Sequence, residues 1–337
     1  KQVKVAWHVI IKNNTEEGLY MYYYGVDIGG MSIKFGIVDD KGNLVSKNVL
    51  ALDYKKYNVS QIVEMMKEKL ESLCQQAKIG KNEIKGLGFG CPGACDAENG
   101  ILLNANNLGW SNVNLRELFK DMRLPVFIDN DANAALIGEK MFGAAKPYKD
   151  CLILTIGTGL GGGIMINNQM YYGNEGKAAE LGHMCIEMNG RQCSCGHKGC
   201  WEPYVSATAL MKDTKAAMEA NKDSYMWEFC DGKLDNVNGK TAFEVAYNTE
   251  DKAAKEVVKN FTYYLAEGIR SYCNIFRPEA IIIGGGVSAQ KERLTGPIIK
   301  QLEEWDWGQK ASPKVEILTS ELGNDAGIIG AACLAMK

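Results

Sequence analysis

Two spacings of apolar positions run along the chain, one alternating and one helical. Tyr22–Asp27 is a β-branched and aromatic run that ends at Gly29–Gly30, and Ile33–Asp39 is a second such run. The turn Asp40–Lys41–Gly42–Asn43 follows, and Leu44–Ala51 returns as a third. These predict an antiparallel meander. Ile62–Ala77 places Ile62, Met65, Met66, Leu70, Leu73 and Cys74 on one helical face. Ile84–Gly90 reads as a strand entering the Pro92–Gly93 turn, and Val126–Asp129 as a strand followed by the helix Ala132–Phe142.

The pattern then restarts. Cys151–Gly157 is an apolar strand ending in glycines, and Gly163–Ile166 continues after the loop. Val205–Ala220 and Ala253–Phe276 carry helical spacing. Ala280–Ile283 is a short buried strand into Gly284–Gly285–Gly286, Val315–Leu318 is a last strand and Ala326–Met336 a last helix. Each half opens with strand, glycine turn, strand. This echo predicts two related lobes, the smaller from residues 21–129 with 324–337 and the larger from 130–323.

Composition narrows the class. The chain has 337 residues, 46% of them hydrophobic, enough for two sizeable cores. A net charge of −3 with well-mixed signs makes nucleic acid a poor first partner. No apolar run reaches the ~18 residues of a membrane span. Val5–Ile11 is too short for a signal peptide, and residues 1–20, which precede Met21, read as a tag or upstream extension. Of the 11 cysteines, Cys74, Cys151, Cys230, Cys273 and Cys333 stand singly among apolar neighbours. They read as buried reduced thiols, which points to the cytoplasm.

Chemistry concentrates in four places. Three glycine loops end predicted strands: Asp27–Ile28–Gly29–Gly30, Gly157–Thr158–Gly159–Leu160–Gly161–Gly162–Gly163, and Gly284–Gly285–Gly286. Glycine lets backbone N–H groups approach a phosphate, and an acid such as Asp27 can hold hydrated Mg²⁺. Any one loop could be a tight turn, whereas three at strand ends favour a nucleotide cradle. None is a P-loop. Gly157–Gly162 contains G-x-G-x-x-G, but no ribose-binding acid follows it to support a dinucleotide fold. The fourth place is Cys193–Ser194–Cys195–Gly196–His197–Lys198–Gly199–Cys200. Three thiols this close in a reducing compartment predict zinc rather than a redox pair, with His183 or His197 as the fourth ligand.

These pieces, in this order, resemble the ROK family of sugar kinases, which also contains sugar-responsive repressors. The likeness rests on Gly25–Gly30, Asn107–Leu108–Gly109–Trp110, Asp129–Ala135, the Gly157–Gly163 loop, Glu180–Leu181–Gly182–His183, the cysteine run through Trp201–Glu202, and Gly284–Val287. It implies an α/β fold of two actin-like, ribonuclease H-like lobes with the active site in an interlobe cleft. It implies an ATP-dependent sugar kinase acting on a hexose, and favours a homodimer. By the same resemblance Asp131 is the catalytic base. Gly93, Asn107, Asn130, Asp131, Glu180, His183 and Glu202 lie at the sugar. Asp27, Gly29, Gly30, Ser32, Gly157, Thr158, Gly159, Gly284, Gly285 and Gly286 lie at ATP and Mg²⁺. His183, Cys193, Cys195 and Cys200 hold a structural Zn²⁺, so His183 serves both metal and sugar. In one departure, Met31 stands where the family's first loop usually has Thr, with Ser32 next.

An aspartate at a strand end can take a hydroxyl proton late in phosphoryl transfer without a raised pKa. The plain alternative for Asp131 is a helix cap, and for Glu180 and Glu202 a surface position. Glucose is the expected acceptor. Fructose, mannose, allose, N-acetylmannosamine and N-acetylglucosamine are alternatives, as is a non-catalytic sugar sensor. A filament-forming protein of this fold would not need the glutamate and cysteine constellation, and an acetate-type kinase should lack the two sugar-facing glutamates.

Overall fold

The computed structural model describes residues 21–105, 108–305 and 313–336. The expected extension at residues 1–20 falls outside them. The chain divides into two compact units. One runs up to Asp150, takes in Gly163–Ala178 and resumes at Asp325; the other holds Cys151–Gly162 and Ala179–Asn324. The helix beginning at Asp131 therefore lies in the first unit.

In the first unit, β1 (Tyr22–Ile28), β2 (Ser32–Asp39) and β3 (Leu44–Ala51) form the expected meander. Strands β4 (Ile84–Cys91) and β8 (Val126–Asn130) extend it in parallel, giving the order β3-β2-β1-β4-β8. β3 alternates half-buried and exposed positions, as one wetted face requires. The Val59–Ala77 helix starts at an Asn58–Gln61 capping box and buries Ile62, Met66, Leu70 and Leu73. A ribbon of β5 (Ala94–Asp96), β6 (Ile101–Ala105) and β7 (Trp110–Asn114) was not expected, because its strands are short and broken by polar residues.

The Ala326–Cys333 helix presses on this sheet with glycine on both sides of the contact. A Cβ on Gly25 of β1 would sit 2.0 Å from the Ile328 carbonyl oxygen, and one on Gly88 of β4 1.8 Å from that of Ala331. On its other flank, a Cβ on Gly330 would meet the Ala134 carbonyl at 1.9 Å. The helix backbone thus lies almost against the sheet and against the Asp131–Phe142 helix.

In the second unit, β12 (Ala280–Gly284) pairs in parallel with β9 (Cys151–Ile156) and with β13 (Glu316–Thr319). β10 (Leu160–Ile166) starts here and continues into the first unit, where it pairs antiparallel with β11 (Gln169–Met170). The expected helix Val205–Ala220 is broken at Ser206, whose hydroxyl caps Ala207–Ala220. The Lys252–Phe276 helix is capped by Asp251. The Glu292–Trp305 helix was concealed by Pro297 within it. Proline lacks the N–H that would bond the carbonyl four residues back. Here that carbonyl, on Arg293, accepts from the Tyr247 hydroxyl at 2.9 Å instead. Among the described residues, no helix is long and apolar enough to cross a membrane.

A methyl group at position 88 has nowhere to go, so Gly88→Ala should cost about 1–3 kcal/mol in denaturant unfolding. Gly239→Ala, at a position with nothing within 4 Å of the added methyl group, should instead change stability by less than about 0.5 kcal/mol. Equal effects would contradict the packing described.

Candidate active site and metal centre

The turn from β8 into the Asp131–Phe142 helix is built on a buried carboxylate. Asp129 Oδ1 accepts from the Asn130 backbone N–H at 2.7 Å and from Asn133 Nδ2 at 2.9 Å. Its Oδ2 accepts from the Tyr172 hydroxyl at 2.8 Å. A buried charge requires such donors. Burial and the Asp129 charge hold the Tyr172 hydroxyl well above its ordinary pKa, so it stays a donor. No sequence signal pointed to Tyr172, because the partners are 43 positions apart.

The capping role weighed for Asp131 belongs to Asn130. Asn130 Oδ1 accepts from the N–H groups of Ala132 at 2.9 Å and Asn133 at 3.3 Å, and its Nδ2 donates to the Gly93 carbonyl at 3.1 Å. That leaves one amide N–H of Asn130 for a ligand. Asp131 is the first helical residue, half-buried, with Oδ1 accepting from Ala132 N–H at 2.8 Å. The positive end of the helix favours its negative charge. Gly93 has φ +83°, and a Cβ there would strike the Asn104 carbonyl at 2.2 Å, so glycine fixes the turn. Gly93, Asn130 and Asp131 are thus gathered in the first unit. Asn107 lies outside the described residues.

Asp27, Gly29, Gly30 and Ser32 form the tip between β1 and β2. Gly29 N–H donates to the Ser32 carbonyl at 3.0 Å, and the Tyr54 hydroxyl donates to the Gly29 carbonyl at 2.7 Å. Asp27 Oδ2 lies 3.0 Å from Lys34 Nζ, an ion pair that sequence reasoning missed.

In the second unit, Glu202 ties the Gly157–Gly163 loop to the cysteine loop. Its Oε2 accepts from Leu160 N–H at 2.9 Å and its Oε1 from the Ser194 hydroxyl at 3.4 Å. A Cβ on Gly159 would lie 2.4 Å from Glu202 Oε2, so the loop backbone passes directly over the carboxylate. The loop is held further by Ala207 N–H on the Gly157 carbonyl at 2.9 Å and the Thr208 hydroxyl on the Thr158 carbonyl at 2.8 Å. Gly284 ends β12, and Gly285, at φ +83°, would press a Cβ into the Ile156 carbonyl at 2.2 Å; Gly286 follows. Glu180 is exposed, and its carbonyl starts the 3₁₀ turn Leu181–His183 by accepting from His183 N–H at 3.1 Å.

His183 meets the cysteine loop. Ligand atoms of His183, Cys193, Cys195 and Cys200 all lie within 4.8 Å of one another. His183 Nδ1 is 3.6 Å from Cys193 Sγ, and Cys195 Sγ is 3.6 Å from Cys200 Sγ. His197 Nδ1 approaches Cys200 Sγ at 3.9 Å but is not one of these four. Burial and the neighbouring sulfurs push Cys200 up to about 12, whereas the His197 backbone N–H holds Cys195 down. Three crowded thiols cannot all ionise without a cation. The set can hold a metal ion, which would favour the thiolate on each sulfur.

Two outcomes follow from this geometry. Tyr172→Phe removes one donor from a buried carboxylate and should cost about 1.5–3 kcal/mol by urea unfolding; no change would mean that the bond is not made. Cys195→Ser should lose bound metal on dialysis against a weak chelator while the unaltered chain retains it. Full retention by the variant would remove Cys195 from the ligand set.

Comparison with known proteins places this arrangement. The ROK family matches residues 23–337. The glucokinase of Streptomyces coelicolor is 34% identical over 316 residues, covering 93% of this chain and 97% of that protein. The crystal structure of a ROK family glucokinase from Streptomyces griseus, in complex with glucose and AMPPNP, aligns with a TM-score of 0.83 at 34% identity. It covers 93% of this chain and 98% of that one. The xylose repressor of Bacillus subtilis is 28% identical, covering 94% of this chain and 77% of the repressor. The mixed α/β architecture is the actin-like class expected from the sequence, and with its family matched across nearly the whole length the chain belongs to the ROK family.

Proposed function

We propose that the protein transfers the γ-phosphoryl group of ATP to a hydroxyl of a hexose, with glucose as the acceptor. The observation that carries this reading is the Asp131 carboxylate at the first turn of its helix, on a turn held rigid by Asp129, in a chain as similar to glucokinases as this one. Phosphoryl transfer demands mainly alignment and charge neutralisation. Asp131 takes the hydroxyl proton as the phosphoryl group departs. Asn130, Glu180, His183 and Glu202 are assigned to sugar hydroxyls, and Gly93 shapes the turn beside them. A hydroxyl-matched site rejects the wrong sugar strongly, because a missing partner leaves a buried polar group unpaired.

The glycine loops at Gly29–Gly30, Gly157–Gly159 and Gly284–Gly286 are assigned to the nucleotide. Asp27 offers the hard carboxylate oxygen that Mg²⁺ takes; when bound, the ion neutralises phosphate charge. For the cysteine loop the reading is zinc. Bonds of about 2.0–2.3 Å to a tetrahedral ion put its ligands about 3.5–3.8 Å apart, and the separations of 3.6 Å support that fit. Three sulfurs and one nitrogen close the shell, so the ion is structural and stiffens the loop that carries Ser194 and leads into Glu202. The cytoplasm and a homodimer belong to the same proposal.

A sugar-sensing regulator is the second reading, favoured by the match to the xylose repressor. Glucose-dependent ADP release by the unaltered chain separates the two, and one substitution tests the base. Asp131→Asn keeps the fold and should lower kcat for glucose-dependent ADP release by about 10²–10⁴-fold, with the melting temperature little changed. Wild-type turnover in that variant would remove Asp131 as the base.

A further inference from the structure

The tip between β1 and β2 has few side-chain donors. Gly29 and Gly30 carry none, and Met31, 75% exposed, has a thioether that cannot donate a hydrogen bond. An anion laid there meets backbone N–H groups, so the direction of each peptide decides what it finds. The peptide joining Gly29 to Gly30 has glycine on both sides, and glycine adopts either sign of φ readily. Packing does not restrain it: Gly30 is exposed, and a Cβ there would meet nothing within 4 Å.

Tyr54 restrains it instead. Its hydroxyl donates to the Gly29 carbonyl at 2.7 Å, while Leu52 N–H donates to the Met31 carbonyl at 3.1 Å. In a trans peptide the C=O and the N–H point in opposite directions. A hydroxyl that pins the Gly29 carbonyl therefore turns the Gly30 N–H to the side away from Tyr54. Burial, then the neighbouring Asp27 and Cys91, raise the Tyr54 hydroxyl well above its ordinary pKa, so it stays protonated and donates.

The Tyr54 ring is itself braced. It meets the buried Trp110 edge-on, with centroids 5.9 Å apart and planes at 86°. Trp110 is the register partner of Ala105, whose Cα would lie 3.4 Å from a Cβ on Gly93. The Gly93 carbonyl in turn accepts from Asn130 Nδ2. The brace behind the glycine peptide is thus continuous with the turn that presents Asp131.

We propose that Tyr54 is the positioning residue of this loop, fixing the Gly29–Gly30 peptide so that the Gly30 N–H is presented to a phosphate oxygen of the bound nucleotide. The inference rests on the kinase reading above and deepens it. Tyr54 touches neither substrate. It removes in advance a backbone freedom that the two glycines would otherwise lose on binding.

Tyr54→Phe keeps the ring against Trp110 and deletes only the hydroxyl. Calorimetric titration of the full chain with Mg-ADP and with glucose, steady-state kinetics and thermal melts test it against wild type. The variant should bind Mg-ADP about three- to tenfold more weakly and raise KM for Mg-ATP to match, the effect of one lost hydrogen bond. Glucose affinity, KM for glucose and melting temperature should stay close to wild type, a split that general loosening of the fold would not produce. Unchanged Mg-ADP affinity in Tyr54→Phe, or equal losses for Mg-ADP and glucose, overturns the assignment while leaving the kinase reading intact. A wild-type chain that binds no Mg-ADP and phosphorylates no glucose removes both.

Discussion

The near-contact between the Ala326–Cys333 backbone and the first sheet sets the position of both key carboxylates in the first unit. Gly25 and Gly88 let the helix come down onto β1 and β4, and Gly330 lets the Asp131–Phe142 helix lie against its flank. At the start of the same helix, Gly327 backs the Asp27 carboxylate. Asp27 and the helix that begins at Asp131 are thus both referenced to one element. Side chains at these glycines would push the helix away and shift both groups. Errors of about 1 Å at a reacting centre are costly in rate.

A second layer of control is polar. Asp129 is buried at 4% exposure and collects three donors, so the turn presenting Asn130 and Asp131 has little freedom. Glu202 does comparable work in the second unit, joining Leu160 of a glycine loop to Ser194 of the cysteine loop. Glu202, which the resemblance puts at the sugar, also acts as internal scaffolding. For Glu202 the roles are compatible, since a carboxylate offers about four acceptor positions.

Much of this was legible without coordinates, where the signal was local. The alternation in Leu44–Ala51, the apolar face of Ile62–Cys74 and the glycine-terminated strands each announce their element within a few residues. The Cys193–Cys200 spacing announces a ligand cluster in the same way. What escaped depends on partners distant in sequence. Tyr172 means nothing until Asp129 is opposite it, and Lys34 reads as an ordinary strand residue until the register sets it beside Asp27. The Glu292–Trp305 helix was hidden by Gly296–Pro297, because the Tyr247 hydroxyl that satisfies the Arg293 carbonyl comes from another helix. Spacing alone left His183 and His197 open as the fourth ligand; the fold brings His183 into the cluster.

The most direct test of the account is the identity of the product. Purified protein with Mg-ATP and a panel of hexoses and acetamido-hexoses, followed by phosphorus NMR, should yield a sugar phosphate with glucose as the best acceptor, in stoichiometric amount with ADP. Failure to phosphorylate any sugar in the panel, or release of ADP without a sugar phosphate, would contradict it.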